Sequence, residues 1–274
     1  NLGGVFNVAN HIANFVKDVS LVTCIGNNDY DFIETGLNNC IERNIFVQND
    51  SQTIVKKRYL DAYKGFKIFE VYNVDELKIN QDTEEKILRF LENNLSRFDL
   101  IVLSDFGHGL LTPKLIEYIG NCNKFVAINC QLNAGNSGYN FITKYKKADF
   151  VSLNETELRL PFQEKNSNIE IPINKLSSGL NLDKINITLG KSGSVYFQEN
   201  NHHYVPSFTK DPVDTIGAGD IVLSLTSLLA YKGIRPEIIP FLGNSIGALA
   251  VKIIGNKRSV DPQELKKFVA YILK

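Results

Sequence analysis

The sequence has 274 residues, of which 43% are hydrophobic and 22% are charged, and its formal net charge at pH 7 is zero. These values are typical of a globular protein with a full hydrophobic core, and they favour one large α/β domain with a small appendage. They give no electrostatic reason to expect binding to nucleic acid or to an anionic membrane surface.

The cysteines and the apolar segments further limit the class of protein. Cys24, Cys40, Cys122 and Cys130 lie in or beside apolar segments, without a CxxC pair or clustered histidines. We interpret them as reduced core residues, because neither a zinc site nor a disulfide framework is indicated. No run of about 18 apolar residues and no charged-then-apolar leader occurs, which predicts a cytoplasmic protein without a membrane span.

The first elements along the chain are a strand, a helix and a hairpin. Val19–Ile25 is a short apolar run with β-branched residues, which predicts a strand, and apolar residues at helical spacing then predict a helix over 29–43. Two strand patterns, 53–60 and 66–71, are joined around Lys64-Gly65 without a helix between them. We interpret them as a β-hairpin outside the main sheet.

The middle of the chain alternates between helical and strand patterns, which is typical of a mainly parallel sheet with helices on both faces. The predicted elements are a helix over 83–98, a strand over 100–103, a helix over 112–122 opened by Thr-Pro, and strands over 125–128 and 150–153. The polar segment 163–179 has weak periodicity and predicts a loop with one helical turn. The predicted fold class is therefore α/β.

Short strands and then helices are predicted for the last third of the chain. The strands are 185–189, 194–197 and 203–205, and the chain is helical from Gly217 onward. Glycine and proline residues interrupt that helical region at Gly233, Pro236 and Gly255.

The strongest local signal is Asp214-Thr215-Ile216-Gly217-Ala218-Gly219-Asp220, which an apolar helix follows at once. Glycines at a helix start leave backbone N–H groups uncovered, and the helix dipole adds positive character, so the turn is suited to bind anions. Asp220 stands beside this turn and could accept a proton from an attacking nucleophile. An acidic helix cap in an ordinary glycine-rich loop is the alternative.

A second candidate is Asn154-Glu155-Thr156-Glu157, directly after a predicted strand. Residues at i and i+3 share a face of the first helical turn, so Asn154 and Glu157 could hold hydrated Mg²⁺ beside ATP phosphates. The alternative is an N-cap asparagine with an acidic first turn. The segment lies at the carboxyl end of a predicted strand, where open α/β sheets bind ligands, and this position favours the Mg²⁺-binding interpretation.

Three further segments carry ligand-binding patterns. Thr188-Leu189-Gly190-Lys191-Ser192-Gly193 permits close backbone approach, although it also fits a plain hairpin turn. Gly3-Gly4-Val5-Phe6-Asn7 offers a short polar side chain and exposed amides to a hydroxyl-rich ligand, or else starts a helix that Asn7 caps. Lys56 and Arg58 share one face of the hairpin, where they could hold a phosphate group or form a solvated charged strand.

The segment 214–220, together with its surroundings, resembles the signature of the ribokinase-like, phosphofructokinase-B-type carbohydrate kinases, and the resemblance extends over nearly the whole chain. In that family the final Asp is the catalytic base and the Gly-Ala-Gly backbone forms an anion hole. The resemblance places these roles at Asp220 and at Gly217, Ala218 and Gly219. It also implies a three-layer α/β/α fold for residues 1–274, with the hairpin as a β lid at about 46–73 that closes over the sugar and pairs with a second subunit.

The same resemblance implies ATP and Mg²⁺ as cofactors and allows a monovalent cation. It assigns cofactor contacts to Asn154, Glu157, Thr188, Gly190, Gly193, Thr215 and Asn244. Asn154 and Glu157 would hold Mg²⁺ through water. It assigns sugar contacts to Gly3, Gly4, Asn7, Lys56, Arg58 and Asp105. It further implies an additional strand, with an acidic sugar ligand, ahead of Asn1.

The segments 53–59, 69–71 and 104–109 look most like the kinase domain of bifunctional heptose 7-phosphate kinase and nucleotidyltransferase enzymes of ADP-heptose synthesis. There a heptose 7-phosphate is phosphorylated at its anomeric hydroxyl. The chain departs from that pattern at Phe106 and His108, which replace Tyr and Lys, and over 129–136, which is unlike the usual Asp-Pro-Lys stretch.

The predicted function is an ATP-dependent sugar kinase. Two alternatives stay open. One is a kinase for another acceptor, such as a nucleoside or a hexose phosphate. The other is a ligand-binding or oligomerising module without catalysis, within a larger protein.

Overall fold

A computed structural model describes residues 1–61, 67–73, 79–136, 138–209 and 211–274. The described residues form a three-layer α/β/α architecture around a six-stranded sheet, with two smaller two-stranded sheets. The predicted fold class is confirmed. The predicted turn at Lys64-Gly65 and the predicted strand start at Phe66 lie outside the described residues.

The strands of the described residues belong to three sheets. Their bounds are β1 (Val19–Ile25), β2 (Ile41–Val47), β3 (Val55–Leu60), β4 (Lys67–Asn73), β5 (Leu100–Asp105), β6 (Phe125–Cys130), β7 (Phe150–Asn154), β8 (Ile185–Thr188), β9 (Ser194–Gln198) and β10 (Asn201–Val205). The main sheet has the order β10-β9-β8-β7-β6-β5, in which β5 to β8 are parallel and β9 and β10 are antiparallel. β1 and β2 pair in parallel, and β3 and β4 form an antiparallel hairpin.

The helices cover both faces of the sheet. Their bounds are α1 (Val5–Ile12), α2 (Tyr30–Gly36), α3 (Gln81–Asn94), α4 (Pro113–Asn121), α5 (Glu155–Arg159), α6 (Glu170–Leu180), α7 (Ala218–Tyr231), α8 (Ile238–Ala250) and α9 (Pro262–Ile272). Helices α3 to α6 bury their apolar side chains on one face, and α1, α7 and α8 pack on the other, with α9 packed against α8.

Both faces of the central strands are buried, as their apolar sequences require. Val126 and Ile128 of β6 join the core beneath α3 to α6, whereas Ala127 between them packs with Leu223 of α7. This alternation follows from the two-residue period of a strand. Because β5 to β8 pair in parallel, their carboxyl ends lie along one edge of the sheet, where several of the candidate residues are found.

The predicted helix over 29–43 is too long. Helix α2 ends at Gly36, and Ile41 begins β2, which pairs with β1. The β-branched residues Ile41 and Ile45 fit a half-buried strand, and pairing with β1 outweighs the helical spacing of the apolar residues. Because β2 continues to Val47, the first two positions of the predicted lid, 46 and 47, belong to β2, and the hairpin sheet begins at Val55.

The predicted loop over 163–179 is also wrong, because most of it belongs to helix α6. Ile173, Leu176 and Leu180 are buried on one side of that helix. Pro172 falls within the first turn, where a backbone N–H has no partner inside the helix, so it does not disrupt the helix.

The cysteines are free, as expected, but their burial differs. Cys130 is buried, Cys24 and Cys122 are half-buried, and Cys40 is exposed, so the interpretation as core residues is wrong for Cys40. None of the helices in the described ranges is both long enough and apolar enough to cross a bilayer.

The β1–β2 pair and the main sheet are separated by an apolar cavity of about 720 Å³. Side chains of α1, β1, α3, β5 and α7 line it. Over the described residues, β1 pairs only with β2, and β5 pairs only with β6, so each strand leaves one edge open next to the cavity.

Candidate active site

The turn before α7 is shaped by Gly217. Gly217 has a φ of +74°, and a Cβ atom there would lie 2.6 Å from the Asn256 side-chain oxygen, so glycine is required twice over. The Asp214 carboxylate accepts from the amides of Ile216 (3.0 Å) and Gly255 (2.8 Å), which braces the turn. Gly217 caps α7 without a side-chain hydrogen bond, and the space beside Gly219 is open. The Ala218 amide donates to the Thr215 carbonyl oxygen at 3.3 Å, so the amides of Gly217 and Gly219 are the ones available to an anion.

Asp220 is the third residue of α7 and is only 5% exposed. Its Oδ1 accepts a hydrogen bond from Gln131 Nε2 at 2.5 Å. Burial raises the pKa of Asp220 to about 7. The hydrogen bond from Gln131 lowers this pKa, the charge of Glu157 raises it and the charge of Lys56 lowers it. A carboxyl group with this pKa can exchange a proton near neutral pH.

Asn154 and Glu157 form a capping box at the start of α5. The Asn154 side chain accepts from the Glu157 amide at 2.9 Å, and Glu157 Oε2 accepts from the Asn154 amide at 2.8 Å. Burial raises the pKa of Glu157 to about 7, against hydrogen bonds from the backbone of Asn154 and Leu132 that lower it. The structure therefore contains the capping interaction that was the alternative to a ligand role. It does not exclude a ligand role, because the Glu157 carboxylate is close enough to Asp220 for its charge to raise the pKa of Asp220.

The structure thus brings two corners of the predicted site together. Gln131, which follows β6, donates a hydrogen bond to Asp220 at the start of α7, and the charge of Glu157 in α5 raises the pKa of the same carboxylate. The catalytic and cofactor roles of these residues stay predictions.

The lid contributes charge from one face of its hairpin. Lys56 is paired with Tyr72 and Arg58 with Glu70, so all four side chains share this face. Lys56 Nζ lies 4.4 Å from the ring centroid of Tyr72 and 5.9 Å from that of Phe106. Arg58 forms an ion pair with Glu70, with 2.7 Å between Nε and Oε2.

The start of α1 also lies beside Phe106. Gly4 has a φ of +57°, and a Cβ atom there would come within 3.4 Å of the Phe106 ring; Gly3 is exposed. Asn7 is 3% exposed, and its Nδ2 has no hydrogen-bond partner among the described residues. A buried donor without a partner is costly, so this side chain fits a ligand that supplies an acceptor.

Asp105 is held inside the protein. It is 4% exposed and forms an ion pair with Lys144 Nζ (2.5 Å), while it accepts from Tyr145 Oη (2.8 Å) and the Gly107 amide (2.9 Å). These contacts occupy both carboxylate oxygens. Asp105 therefore fixes the loop that follows β5, and the sugar contact assigned to it stays a prediction.

The remaining predicted nucleotide residues lie in two turns and on α8. Gly190 and Gly193 both have positive φ, and a Cβ atom at Gly193 would lie 2.0 Å from the Val205 carbonyl oxygen. This turn joins the antiparallel strands β8 and β9, so it is the hairpin turn that was the alternative to a ligand-binding turn. Thr188 ends β8, and Thr215 is exposed beside the α7 turn.

Asn244 has a structural contact that was not predicted. Its Nδ2 donates to the carbonyl oxygens of Val205 and Pro206, both at 2.9 Å. These bonds tie α8 to the segment after β10. The nucleotide contact assigned to Asn244 stays a prediction.

Sequence reasoning missed two contributors to the site, Gln131 and Tyr72. Gln131 stands directly after a buried strand, at the same edge as Asn154, and this position was the available signal. Tyr72 Oη is hydrogen-bonded to His108 Nε2, which joins the lid to the loop after β5. Burial, with the charge of Lys56, lowers the pKa of His108 to about 4, so its ring is neutral near pH 7.

Comparison with known proteins gives a consistent family. The model of the pfkB family carbohydrate kinases matches residues 1–261. The bifunctional protein HldE of Aliarcobacter butzleri is 27% identical over 271 residues, which cover 95% of this chain and 55% of that protein. The chain thus spans about half the length of the curated relatives it matches.

Solved structures share the fold. Phosphofructokinase-2 from Escherichia coli, in complex with substrates and products, has a TM-score of 0.79 at 16% identity, covering 99% of this chain and 88% of its own. A protein described as ribokinase II from E. coli, in complex with ATP and Mg²⁺, has a TM-score of 0.75 at 16% identity, covering 98% and 89%.

Proposed function

The chain belongs to the pfkB family of carbohydrate kinases, and we propose that it transfers the γ-phosphoryl group of ATP to a hydroxyl group of a sugar or sugar phosphate. One observation carries the proposal. Asp220 is a buried carboxylate in the first turn of a helix with no side-chain cap, within electrostatic range of a second buried carboxylate, Glu157. This arrangement combines an anion site with a base.

Asp220 is the proposed catalytic base. With a pKa of about 7 it is ionised in a large fraction of molecules at neutral pH, and it is basic enough to accept the proton of a sugar hydroxyl. The backbone amides of Gly217, Ala218 and Gly219 stabilise the negative charge that builds on the transferring group.

The residues present fit Mg²⁺ that is bound largely through water. Glu157 supplies a carboxylate, the ligand type that Mg²⁺ prefers, and Asn154 fixes its orientation. The described residues contain no group of three or more His, Cys, Asp or Glu side chains that could form a cage, and Mg²⁺ usually keeps several waters beside substrate phosphates. Bound Mg²⁺ would neutralise phosphate charge. The E. coli structure with ATP and Mg²⁺ supports both cofactors.

The proposed nucleotide contacts are Thr188, Gly190, Gly193, Thr215 and Asn244. The acceptor site is proposed at the start of α1, where the buried Asn7 Nδ2 would donate to a sugar oxygen near Gly3, which has open space beside it, and Gly4. Lys56 lies near Phe106, which Gly4 also approaches, and with Arg58 it would bind a phosphate on the acceptor.

The finer proposal is a heptose 7-phosphate, phosphorylated at its anomeric hydroxyl. The similarity to HldE supports this choice, and so does the inward cation Lys56. By the same similarity, we propose a nucleotidyltransferase domain in the longer polypeptide, a homodimer formed through the lid, and a location in the cytoplasm, where ATP is present.

The test is ADP release with heptose 7-phosphate, fructose 6-phosphate, ribose and a nucleoside as acceptors. We expect release with at least one sugar, and in Asp220→Asn a decrease of about 100-fold or more, the range typical of losing a general base. Asp211→Asn, an exposed aspartate in the same segment, should keep the parent rate.

Parent activity in Asp220→Asn would show that the base is wrongly assigned. An absence of ADP release with every acceptor would favour the binding-module alternative. Repeating the assay in potassium and sodium salts tests for the monovalent cation.

A further inference from the structure

Gln131 touches the proposed base directly. It follows β6 at the carboxyl edge of the sheet, and its Nε2 donates to Asp220 Oδ1 at 2.5 Å. We propose that Gln131 is a positioning residue, which holds the Asp220 carboxylate in the orientation that accepts the proton of the acceptor hydroxyl. This inference rests on the proposed kinase function.

The backbone of Gln131 is fixed on both sides. Its N–H donates to the Asp105 carbonyl oxygen at 2.8 Å, and its carbonyl oxygen accepts from Asn136 Nδ2 (2.7 Å) and Asn140 Nδ2 (3.2 Å). Asn140 Nδ2 also donates to the Asp105 carbonyl oxygen at 3.1 Å. A side chain that starts from a fixed backbone loses less freedom when it forms its hydrogen bond, which is the requirement for holding a catalytic group.

Asp105 extends this support one step further. Its side chain is held by Lys144 and Tyr145, and its main chain receives the hydrogen bond from Gln131. The buried Asp105 network therefore fixes the origin of the side chain that reaches Asp220. This gives Asp105 a function in the site through its backbone.

A neutral amide is the appropriate partner for this base. It donates to Oδ1 of the ionised form and leaves Oδ2 to accept a proton. A lysine at position 131 would instead add a positive charge, which would lower the pKa of Asp220 and weaken it as a base. The charged groups that already act on Asp220 are Glu157 of α5, which raises its pKa, and Lys56 of β3, which lowers it.

The test compares Gln131→Leu and Gln131→Lys with the parent enzyme, using ATP and the best acceptor of the panel. In Gln131→Leu we expect kcat to fall about tenfold to hundredfold, as for a misplaced catalytic group, with KM for ATP within about twofold. The acidic limb of the kcat profile should move to higher pH, because the bond that favours ionised Asp220 is lost. In Gln131→Lys the same limb should move to lower pH.

Gln198→Leu is the matched control. Gln198 lies at the end of β9, at the opposite edge of the sheet, where it bonds to Tyr196 and Glu199. This variant should leave kcat and the pH profile unchanged.

Titration of ¹³C-labelled aspartate carboxyl groups by NMR gives a second readout without turnover. The Asp220 pKa should rise in Gln131→Leu and fall in Gln131→Lys.

The outcomes separate this inference from the proposed function. An active parent with unchanged kcat and pH profile in Gln131→Leu, or an Asp220 titration that is the same in all three proteins, would overturn the role of Gln131 and leave the kinase proposal standing. A parent that releases no ADP with any acceptor would overturn both.

Discussion

Asp220 and Glu157 owe their raised pKa values to the same main cause, burial, but their hydrogen bonds suit them to different tasks. Glu157 accepts from the main-chain amide of Asn154 within a capping box, so its carboxylate is part of the helix start. Asp220 accepts from a side-chain amide, that of Gln131. Glu157 is therefore suited to supply a fixed negative charge beside a cation. Asp220 is held by one hydrogen bond to one of its carboxylate oxygens, and its other oxygen can accept a proton.

Lys56 is the residue through which the lid acts on this centre. Its ammonium group lies over Tyr72 and near Phe106, and its charge lowers the pKa of Asp220. A cation at this position can contact the substrate from the lid and can also lower the pKa of the base. The consequence for specificity can be measured by comparing phosphorylated and unphosphorylated acceptors.

We expect Lys56→Met to raise KM for a phosphorylated acceptor by about tenfold to a hundredfold, the range for losing a hydrogen bond to a charged group. The KM for an unphosphorylated sugar should change much less. Steady-state ADP release with both acceptors measures the difference. Lys57→Met is the control, because Lys57 lies on the opposite face of the same strand and is exposed. Equal changes for both acceptors would argue against a phosphate contact.

At the scale of elements, the lid shows what sequence patterns predict and what they leave out. The two strands were predicted from their alternation, and they form the antiparallel pair β3–β4. The contacts through which the hairpin docks on the rest of the protein were not predicted. They depend on Tyr72, whose ring packs so closely on the loop after β6 that a Cβ atom at Gly135 would lie 2.0 Å from it. Contacts between distant segments leave no periodic signal in the sequence.

The helices show the same limit. Thr112 caps α4, as the Thr-Pro pair indicated, because local capping chemistry is readable from neighbouring residues. Helix α6 was missed because its buried side chains are interrupted by polar residues and a proline. Helix α2 was extended into β2 because strand pairing is a tertiary effect. The same limit applies to the site. The residues of local motifs were predicted, whereas Gln131 was not, because its contact is with Asp220, 89 positions away in the sequence.

The outer face of the lid carries exposed aromatic and aliphatic side chains beside the exposed Lys57. Tyr59 and Phe69 stack with ring centroids 4.3 Å apart, and they are 48% and 52% exposed; Val71 on the same face is 46% exposed. A hairpin with exposed aromatic residues is normally covered, and a second copy of this chain would cover it with an identical face.

We expect the protein to sediment at twice the 30.8 kDa of one chain, and Tyr59→Glu to convert it to a single chain, because a charge would be buried at the contact. Analytical ultracentrifugation over a range of concentrations measures the change. Tyr271→Glu replaces an exposed tyrosine of α9 away from the lid and should leave the mass unchanged. A parent that sediments as one chain would contradict the proposed lid dimer.

At the scale of the whole molecule, the sheet is divided between β1 and β5. Within the part of the chain that the structure describes, each strand has an open edge there, and the apolar cavity of about 720 Å³ lies between them. Strands that are covered on both faces need partners for their backbone N–H and C=O groups, because water does not replace them in an apolar interior. An additional extended segment between β1 and β5 would supply these bonds and join the two sheets into one.

The course of the chain indicates where such a segment would come from. Gly4, just before α1, packs beside Phe106, just after β5, so the chain enters α1 at the carboxyl edge of the sheet. A strand parallel to β1 in the gap would end at this edge and lead through α1 into β1 as a β-α-β unit, the usual connection between parallel strands. We propose that residues ahead of Asn1 in a longer polypeptide form this strand.

Hydrogen exchange tests this arrangement by comparing residues 1–274 with a polypeptide that carries the residues encoded ahead of them. We expect the amides of β1 and β5 that face the gap to exchange rapidly in the shorter chain and to become protected in the longer one. Those of β6 and β7, already paired on both sides, should exchange alike in both. Filling an apolar gap with about four side chains should also raise Tm by about 10 °C. Equal protection of β1 and β5 in both polypeptides would show that the gap is closed by other means, since a strand that pairs with both edges must slow exchange at both.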